Sequence, residues 1–243
     1  MSPKKSARTA KPTKTARTPR RPAAGAPDPV EPAASEKDPA EPAAASSPSA
    51  SFPVVGIGAS AGGLAAFEAF FAAMPVDREP GMAFVLVQHL APDHKSLLAD
   101  LIQRHTRMQV REVEDGVRVQ PNCAYIIPPG RDMAFVNGTL QLFEPGAPHG
   151  QRLPIDFFFR SLAQDQHEQA IAVVLSGTGS DGTLGVRAIK GEGGMVMAQN
   201  PASTEHDGMP RSAMATGLVD YVLPPAEMPA QLMAYVARSP GRV

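Results

Sequence analysis

The stretch that most constrains this chain is Pro53–Met74, PVVGIGASAGGLAAFEAFFAAM. It opens with Val54-Val55-Gly56-Ile57, a short apolar run that suits a strand buried on both faces. It closes with Leu64, Ala65, Phe67, Phe70, Phe71 and Met74, apolar positions at helical spacing. Between them lies Gly58-Ala59-Ser60-Ala61-Gly62-Gly63. A glycine-rich turn from strand into helix gathers backbone N–H groups and the positive end of the helix at one point. Whatever sits there meets an anion or a developing negative charge, and Ser60 sits there.

The turn by itself leaves three readings open. Gly56-x-Gly58-x-x-Ala61 fits the dinucleotide fingerprint in its Gly/Ala variant. Gly58-x-Ser60-x-Gly62 fits the nucleophile elbow, in which flanking glycines let a strained turn lift a serine hydroxyl clear of the sheet. The third reading is a tight structural turn and nothing more.

The near-neutral total of the chain, a formal net charge of −1, hides a split. Residues 1–21 carry Lys4, Lys5, Arg8, Lys11, Lys14, Arg17, Arg20 and Arg21 and no acid. Residues 28–41 carry Asp28, Glu31, Glu36, Asp38 and Glu41 against Lys37. Pro, Ala and Ser fill the gaps, so residues 1–51 cannot bury enough apolar surface to offset chain entropy and are expected to be a disordered tail. Without interleaved aromatics, its basic end is read as solvated and not as a nucleic-acid contact. No secretory signal is visible, and no apolar run approaches the ~20 residues of a membrane span. Cys123 has no internal disulfide partner, which fits a reducing cytoplasm, and is expected to be buried and inert. Residues 52–243 are enough chain for one domain with a full core.

Along that domain, Ala83–Val87 reads as a second buried strand running into Gln88-His89-Leu90, and Asp93 as the cap of a helix from about Lys95 to His105. The segment 109–145 reads as an antiparallel elaboration. In it Asn137-Gly138 joins Met133–Val136 to Leu140–Phe143 as a hairpin. Alternation of strand and helix then returns: a helix over 154–164, a strand over Ala170–Leu175, a helix to about Lys190, a strand over 195–198, a short helix over 212–216, a strand over 219–222 and a closing helix over 225–238. This order predicts an α/β fold, a doubly wound parallel sheet in three α/β/α layers. Ligands of such sheets sit outside the carboxyl ends of the strands. Ser60, His89 and Asp181 each lie just past such an end.

A dinucleotide enzyme would carry an acid at the end of its second strand to hold the ribose. Here that strand ends in Gln88-His89, and Glu79 precedes the strand instead. A Walker-type loop needs Gly-Lys-Ser/Thr, which is absent. A serine nucleophile needs a base, and the base needs a carboxylate to fix its tautomer. Ser60, His89 and Asp181 supply all three. Each also has a plainer role to set beside this: His89 as a core histidine, and Asp181 and Ser60 as N-caps of the helices that follow them. His94, His105, His149, His167 and His206 show no paired ligand spacing, so neither a metal nor a cofactor is expected.

Gly58-Ala59-Ser60-Ala61-Gly62-Gly63, Val87-Gln88-His89, Leu175-Ser176-Gly177-Thr178-Gly179-Ser180-Asp181-Gly182 and Gly208-Met209-Pro210-Arg211 together resemble the catalytic domain of chemotaxis receptor methylesterases, the CheB type. The resemblance runs from about Pro53 to Tyr235. It implies a cytoplasmic serine hydrolase that cleaves glutamate γ-methyl esters on the signalling helices of methyl-accepting chemoreceptors, and many members also deamidate receptor glutamines. The family's serine, histidine and aspartate fall on Ser60, His89 and Asp181. Backbone N–H groups near Ala61 and Gly62, with Thr178, are candidates for binding the oxyanion. The chain departs from the family at Ala61, where Thr is common, and at Thr178, where Met is common. GTGSDG looks more like the esterase portion of proteins that fuse esterase and methyltransferase modules. No strand ending in paired acids precedes Phe52, so no phosphorylatable receiver domain is expected in cis. Control would then fall to a separate methyltransferase or regulatory protein. The alternative is a non-catalytic receptor-binding module of the same fold.

Overall fold

The computed structural model describes residues 52–88, 98–146 and 152–238. Its main sheet contains β1 (Val54–Ala59), β2 (Ala83–Gln88), β3 (Gln109–Glu112), β5 (Cys123–Ile126), β8 (Ala170–Val174), β9 (Met195–Gln199) and β10 (Tyr221–Leu223). The spatial order is β10-β9-β8-β1-β2-β5-β3, and every pairing is parallel. A second, antiparallel sheet is formed by β4 (Val117–Arg118), β6 (Asp132–Val136) and β7 (Thr139–Phe143). Asn137 and Gly138, at φ 50° and 75°, make the turn that joins β6 to β7.

Part of segment 109–145 corrects the expectation of a wholly antiparallel elaboration. β3 and β5 extend the parallel sheet beyond β2, while β4, β6 and β7 leave it. No helix separates β3 from β5, so the alternation that marks a parallel crossover is missing from the sequence there.

Helices cover both faces. On one face α1 (Gly63–Ala72), α2 (Leu98–His105) and α6 (Met228–Ala237) bury Phe67, Phe70, Phe71, Ile102 and Leu232 against Val55, Ile57, Leu86 and Val173. Phe70 and Phe71 meet edge to face with centroids 5.2 Å apart. Each such ring contributes roughly 1.5–3 kcal/mol by leaving water. On the other face lie α3 (Pro154–Gln166), α4 (Thr183–Gly191), α5 (Gly208–Met214) and the antiparallel sheet. α3 lies directly on β1: a Cβ on Gly58 would stand 2.4 Å from Ile155 Cγ2, and one on Gly56 2.9 Å from Phe159 Cε1. These two glycines are therefore contact surface for a helix as well as the approach to the turn.

Element ends differ in detail from the sequence reading. α5 begins at Gly208 and not near Ser212, with Arg211 paired to Asp207 at 2.6 Å across its first turn. The last strand begins at Tyr221; just before it, the Asp220 carboxylate accepts from the Val196 N–H and from Lys190 Nζ, both at 2.8 Å. The closing helix starts at Met228, after a 3₁₀ turn over Pro225–Glu227. The tail over residues 1–51, the Asp93 cap and the start of the helix placed at Lys95 lie outside the described residues.

Candidate active site

The sheet changes winding direction between β1 and β8. From β1 the chain steps to β2 on one side, and from β8 to β9 and β10 on the other. The crevice above such a point is where an open α/β sheet binds its ligands. Ser60 ends β1 on one side of it, and residues 176–182 leave β8 on the other.

The two sides are fastened together through backbone. The Ser60 N–H donates to the Ser176 carbonyl at 2.9 Å, and the Leu175 N–H to the Gly58 carbonyl at 2.9 Å. Ser176 is fixed in turn by its own N–H, which donates to Gln199 Oε1 at 2.8 Å. A third segment then buckles the loop: Gly177 N–H donates to the His206 carbonyl and Met209 N–H to the Gly177 carbonyl, both at 2.9 Å. Ser212 Oγ adds a bond to the Gly179 carbonyl at 3.1 Å. The Gly208-Met209-Pro210-Arg211 segment thus holds the 177–179 loop in shape.

Ser60 is half-buried and does not cap α1. Gly62 stands at the N-cap in the left-handed region, φ 73°, and no side-chain cap bond is formed. A Cβ on Gly62 would lie 3.0 Å from His206 Cδ2 and 3.2 Å from Ser176 Oγ, so the turn is tight as well as left-handed. The N–H groups of Ala61, Gly62 and Thr178 have no acceptor among the described residues. Ala61 is half-buried and Thr178 is exposed.

Asp181 is buried, 4% exposed, and it is not the cap of the helix that follows it. Gly182 holds that place at φ 94° without a side-chain cap bond. The Asp181 carboxylate reaches the neighbouring helix instead. It accepts from the N–H groups of Ile155 at 3.0 Å, Asp156 at 2.8 Å and Gly182 at 2.9 Å. Asp181 therefore caps α3, a partner 25 residues away that no local pattern announces.

Asp156, in the first turn of α3, was not visible as a site residue in the sequence. It is 5% exposed and accepts from the Gly185 N–H at 2.7 Å. Burial pushes its carboxyl above the usual range, the Gly185 N–H opposes this, and the charge of Asp181 pushes it up further.

His89 lies outside the described residues, as do His94 and His149. The structure brings Ser60, Thr178 and Asp181 to one edge of the sheet. Gln88, next to His89 in sequence, pairs with Ala59 in register, so β2 delivers its end to the same edge. Three buried polar atoms there, Gln88 Oε1, Ser176 Oγ and Thr183 Oγ1, have no hydrogen-bond partner among the described residues. Such groups are rare enough in a folded chain to mark a place adapted for something other than stability.

A cleft of about 380 Å³ opens beside the Ser60 turn, lined by Gly62, Ser176, Gln199, Thr204 and His206. A larger one, about 630 Å³, lies at the opposite edge, near the amino ends of β2, β3 and β5, and Cys123 lines it from a buried position. No group of His, Cys, Asp and Glu among the described residues could hold a metal ion. His105 and His167 are instead paired at the surface with Glu68 and Glu192. No described helix is long and apolar enough to cross a membrane.

Fold and site together define a doubly wound α/β protein with a polar crevice at its switch point, a glycine-flanked serine on one wall and a buried aspartate behind the other. The chain belongs to the CheB methylesterase family, whose model matches residues 55–232. It is 32% identical over 199 residues to protein-glutamate methylesterase/protein-glutamine glutaminase 1 of Geobacter metallireducens, covering 80% of this chain and 54% of that one. It is likewise 32% identical over 188 residues to the Escherichia coli K12 protein-glutamate methylesterase/protein-glutamine glutaminase, covering 76% of this chain and 53% of that one. The chain thus spans about half the length of these relatives. The crystal structure of the Thermotoga maritima CheB methylesterase catalytic domain superposes with a TM-score of 0.70 at 31% identity, covering 76% of this chain and 99% of that domain.

Proposed function

We propose that this chain is a cytoplasmic protein-glutamate methylesterase acting on the cytoplasmic helices of methyl-accepting chemoreceptors, with glutamine deamidation as a second reaction of the same site. Ser60 Oγ attacks the ester carbonyl while His89 takes its proton. His89 returns that proton to the departing methoxide, which leaves as methanol. A water activated by His89 then cleaves the acyl-serine and leaves a glutamate carboxylate. With a glutamine substrate the same steps release ammonia. Asp181 orients His89 and stabilises the imidazolium. The N–H groups of Ala61 and Gly62, with Thr178 across the crevice, stabilise the oxyanion.

The observation that carries this reading is the Ser60 turn itself. Its serine caps nothing, its N–H is tied to Ser176, and the next two N–H groups have no acceptor among the described residues. Free N–H donors are ordinary at a helix start; a serine hydroxyl beside them that is not used as the cap is the combination acyl transfer requires. The family match supports the ester chemistry, and the names of the relatives support the substrate class.

The test is labelling of the folded chain with a fluorophosphonate, which reacts only with an activated serine. Labelling at Ser60 that disappears in Ser60→Ala and His89→Ala is the expected result. Absence of labelling in folded protein would favour a receptor-binding module without chemistry.

A further inference from the structure

The first turns of α3 and α4 lie side by side at the carboxyl edge of the sheet, and each holds a carboxylate that serves the other. Asp181, in the loop before α4, accepts the Ile155 and Asp156 N–H groups at the start of α3. Asp156, in the first turn of α3, accepts the Gly185 N–H of α4 at 2.7 Å, and the N–H groups of Leu184 and Gly182 also stabilise its charge. Asp156 carries both halves of this latch. Its backbone donates to Asp181, while its side chain grips the helix that Asp181 precedes. The two helices approach closely enough for this because residue 185 is glycine: a Cβ there would stand 2.4 Å from Phe159 Cβ.

We infer that Asp156 is a positioning residue for the reaction proposed above, its buried carboxylate holding the first turn of α4 against that of α3 and so fixing the orientation of the Asp181 carboxylate. The inference rests on the reading of Asp181 as the group that orients His89. A purely structural cap would be better made by a neutral side chain. Burying a second carboxylate beside Asp181 is unfavourable, and Asn or Ser could accept the Gly185 N–H without that cost. A carboxylate presents acceptors to N–H groups from several directions at once. Asn would turn an NH₂ donor toward one of them.

The experiment compares the full chain with Asp156→Asn, Asp181→Asn and the double variant in methanol release from a glutamate-methylated receptor cytoplasmic fragment. Rates are taken at equal folded fraction by circular dichroism, so a less stable variant still reports. Asp156→Asn is expected to lower kcat by about 10- to 100-fold with KM within about twofold, the loss expected from a catalytic group displaced by an ångström or less. In the Asp181→Asn background the same change is expected to cost no more than about twofold, because the two residues act as one unit. Asp156→Glu keeps the charge and moves it by one methylene, and it is expected to lose kcat as well. The amide ¹⁵N shifts of Ile155 and Gly182 should move in both Asp156 variants. A kcat within twofold of the parent in Asp156→Asn or Asp156→Glu, or a loss that is undiminished in the Asp181→Asn background, would overturn the inference alone. A silent Asp181→Asn would overturn the reading of Asp181, and this inference with it.

Discussion

The Ser60 N–H and the Ser176 carbonyl meet at 2.9 Å, and that bond joins the ends of the two strands between which the sheet reverses its winding. The Ser60 turn and the loop carrying Asp181 are thereby joined through backbone at one edge of the sheet. Geometry of this kind holds a hydroxyl and its stabilising groups in register before substrate arrives, which is where much of an enzyme's advantage arises.

Gly62 is one place where that edge has little tolerance for a side chain. It is left-handed, and an added Cβ would press on both His206 and Ser176 Oγ. Gly62→Ala is therefore expected to destabilise the fold by about 1–2 kcal/mol from backbone strain alone. It should also lower kcat by more than it raises KM, since it displaces the turn that carries Ser60. Urea unfolding and steady-state turnover on the same sample check both parts.

Asp181→Asn should be severe. Although residues 178–180 of its loop are exposed, Asp181 itself is buried and is held by three backbone donors. In the proposed mechanism the Asp181 charge orients and stabilises the His89 imidazolium, so kcat is expected to fall by up to ~10⁴-fold with little change in KM. Hydrogen bonds to a charged group are worth roughly 1.5–3 kcal/mol, and part of that is lost from stability as α3 loses its charged cap. A variant with parental kcat and a lowered melting temperature would reduce Asp181 to a helix cap.

Asp156 should give stability a distinctive dependence on pH. Its folded carboxyl titrates above the unfolded value of 3.8, because burial and Asp181 disfavour its charge. The folded state then binds the proton more tightly than the unfolded chain. The associated stability is present in acid and is lost as pH rises through the folded value. Asp156→Asn has no such proton, so the difference in unfolding free energy between parent and variant should shift in favour of the variant as pH rises above about 4. Denaturant curves at several pH values read this directly, and a difference that stays constant with pH would contradict it.

Much of this was legible in the sequence, and the reasons are local. The glycines around Ser60 announce a strand–turn–helix because few other sequences can make one. Asn137-Gly138 announces its hairpin because both residues take positive φ. Strands β1, β2 and β8 are unbroken apolar runs, as strands covered on both faces must be. What was not legible depends on distant pairing. β3 and β5 join the parallel sheet through partners brought in by tertiary structure, and their short sequences carry no sign of which sheet they enter. Asp156 looks like an ordinary acid in the first turn of a helix, and its burial under α4 follows from Gly185, nearly thirty residues on. Asp181 after Gly-Ser reads as the cap of its own helix. Only its hydrogen bonds to the Ile155 and Asp156 N–H groups show that it faces another.

If Ser60 and His89 act as one unit, Ser60→Ala and His89→Ala should each remove nearly all turnover, and the double variant should be hardly worse. Additive losses would mean that the two residues serve separate steps. Burst kinetics with an activated ester supply a second check: the parent should accumulate acyl-enzyme, and Ser60→Ala should show no burst.

The most direct test of the central claim is methanol released from a chemoreceptor cytoplasmic fragment methylated on its glutamates, measured with the full chain and with Ser60→Ala. The account predicts steady release by the parent and a rate below about one thousandth of it in the variant, both proteins being folded. Release by Ser60→Ala at a rate comparable to the parent would contradict the account, because the ester would then be cleaved without the serine around which this edge of the sheet is built.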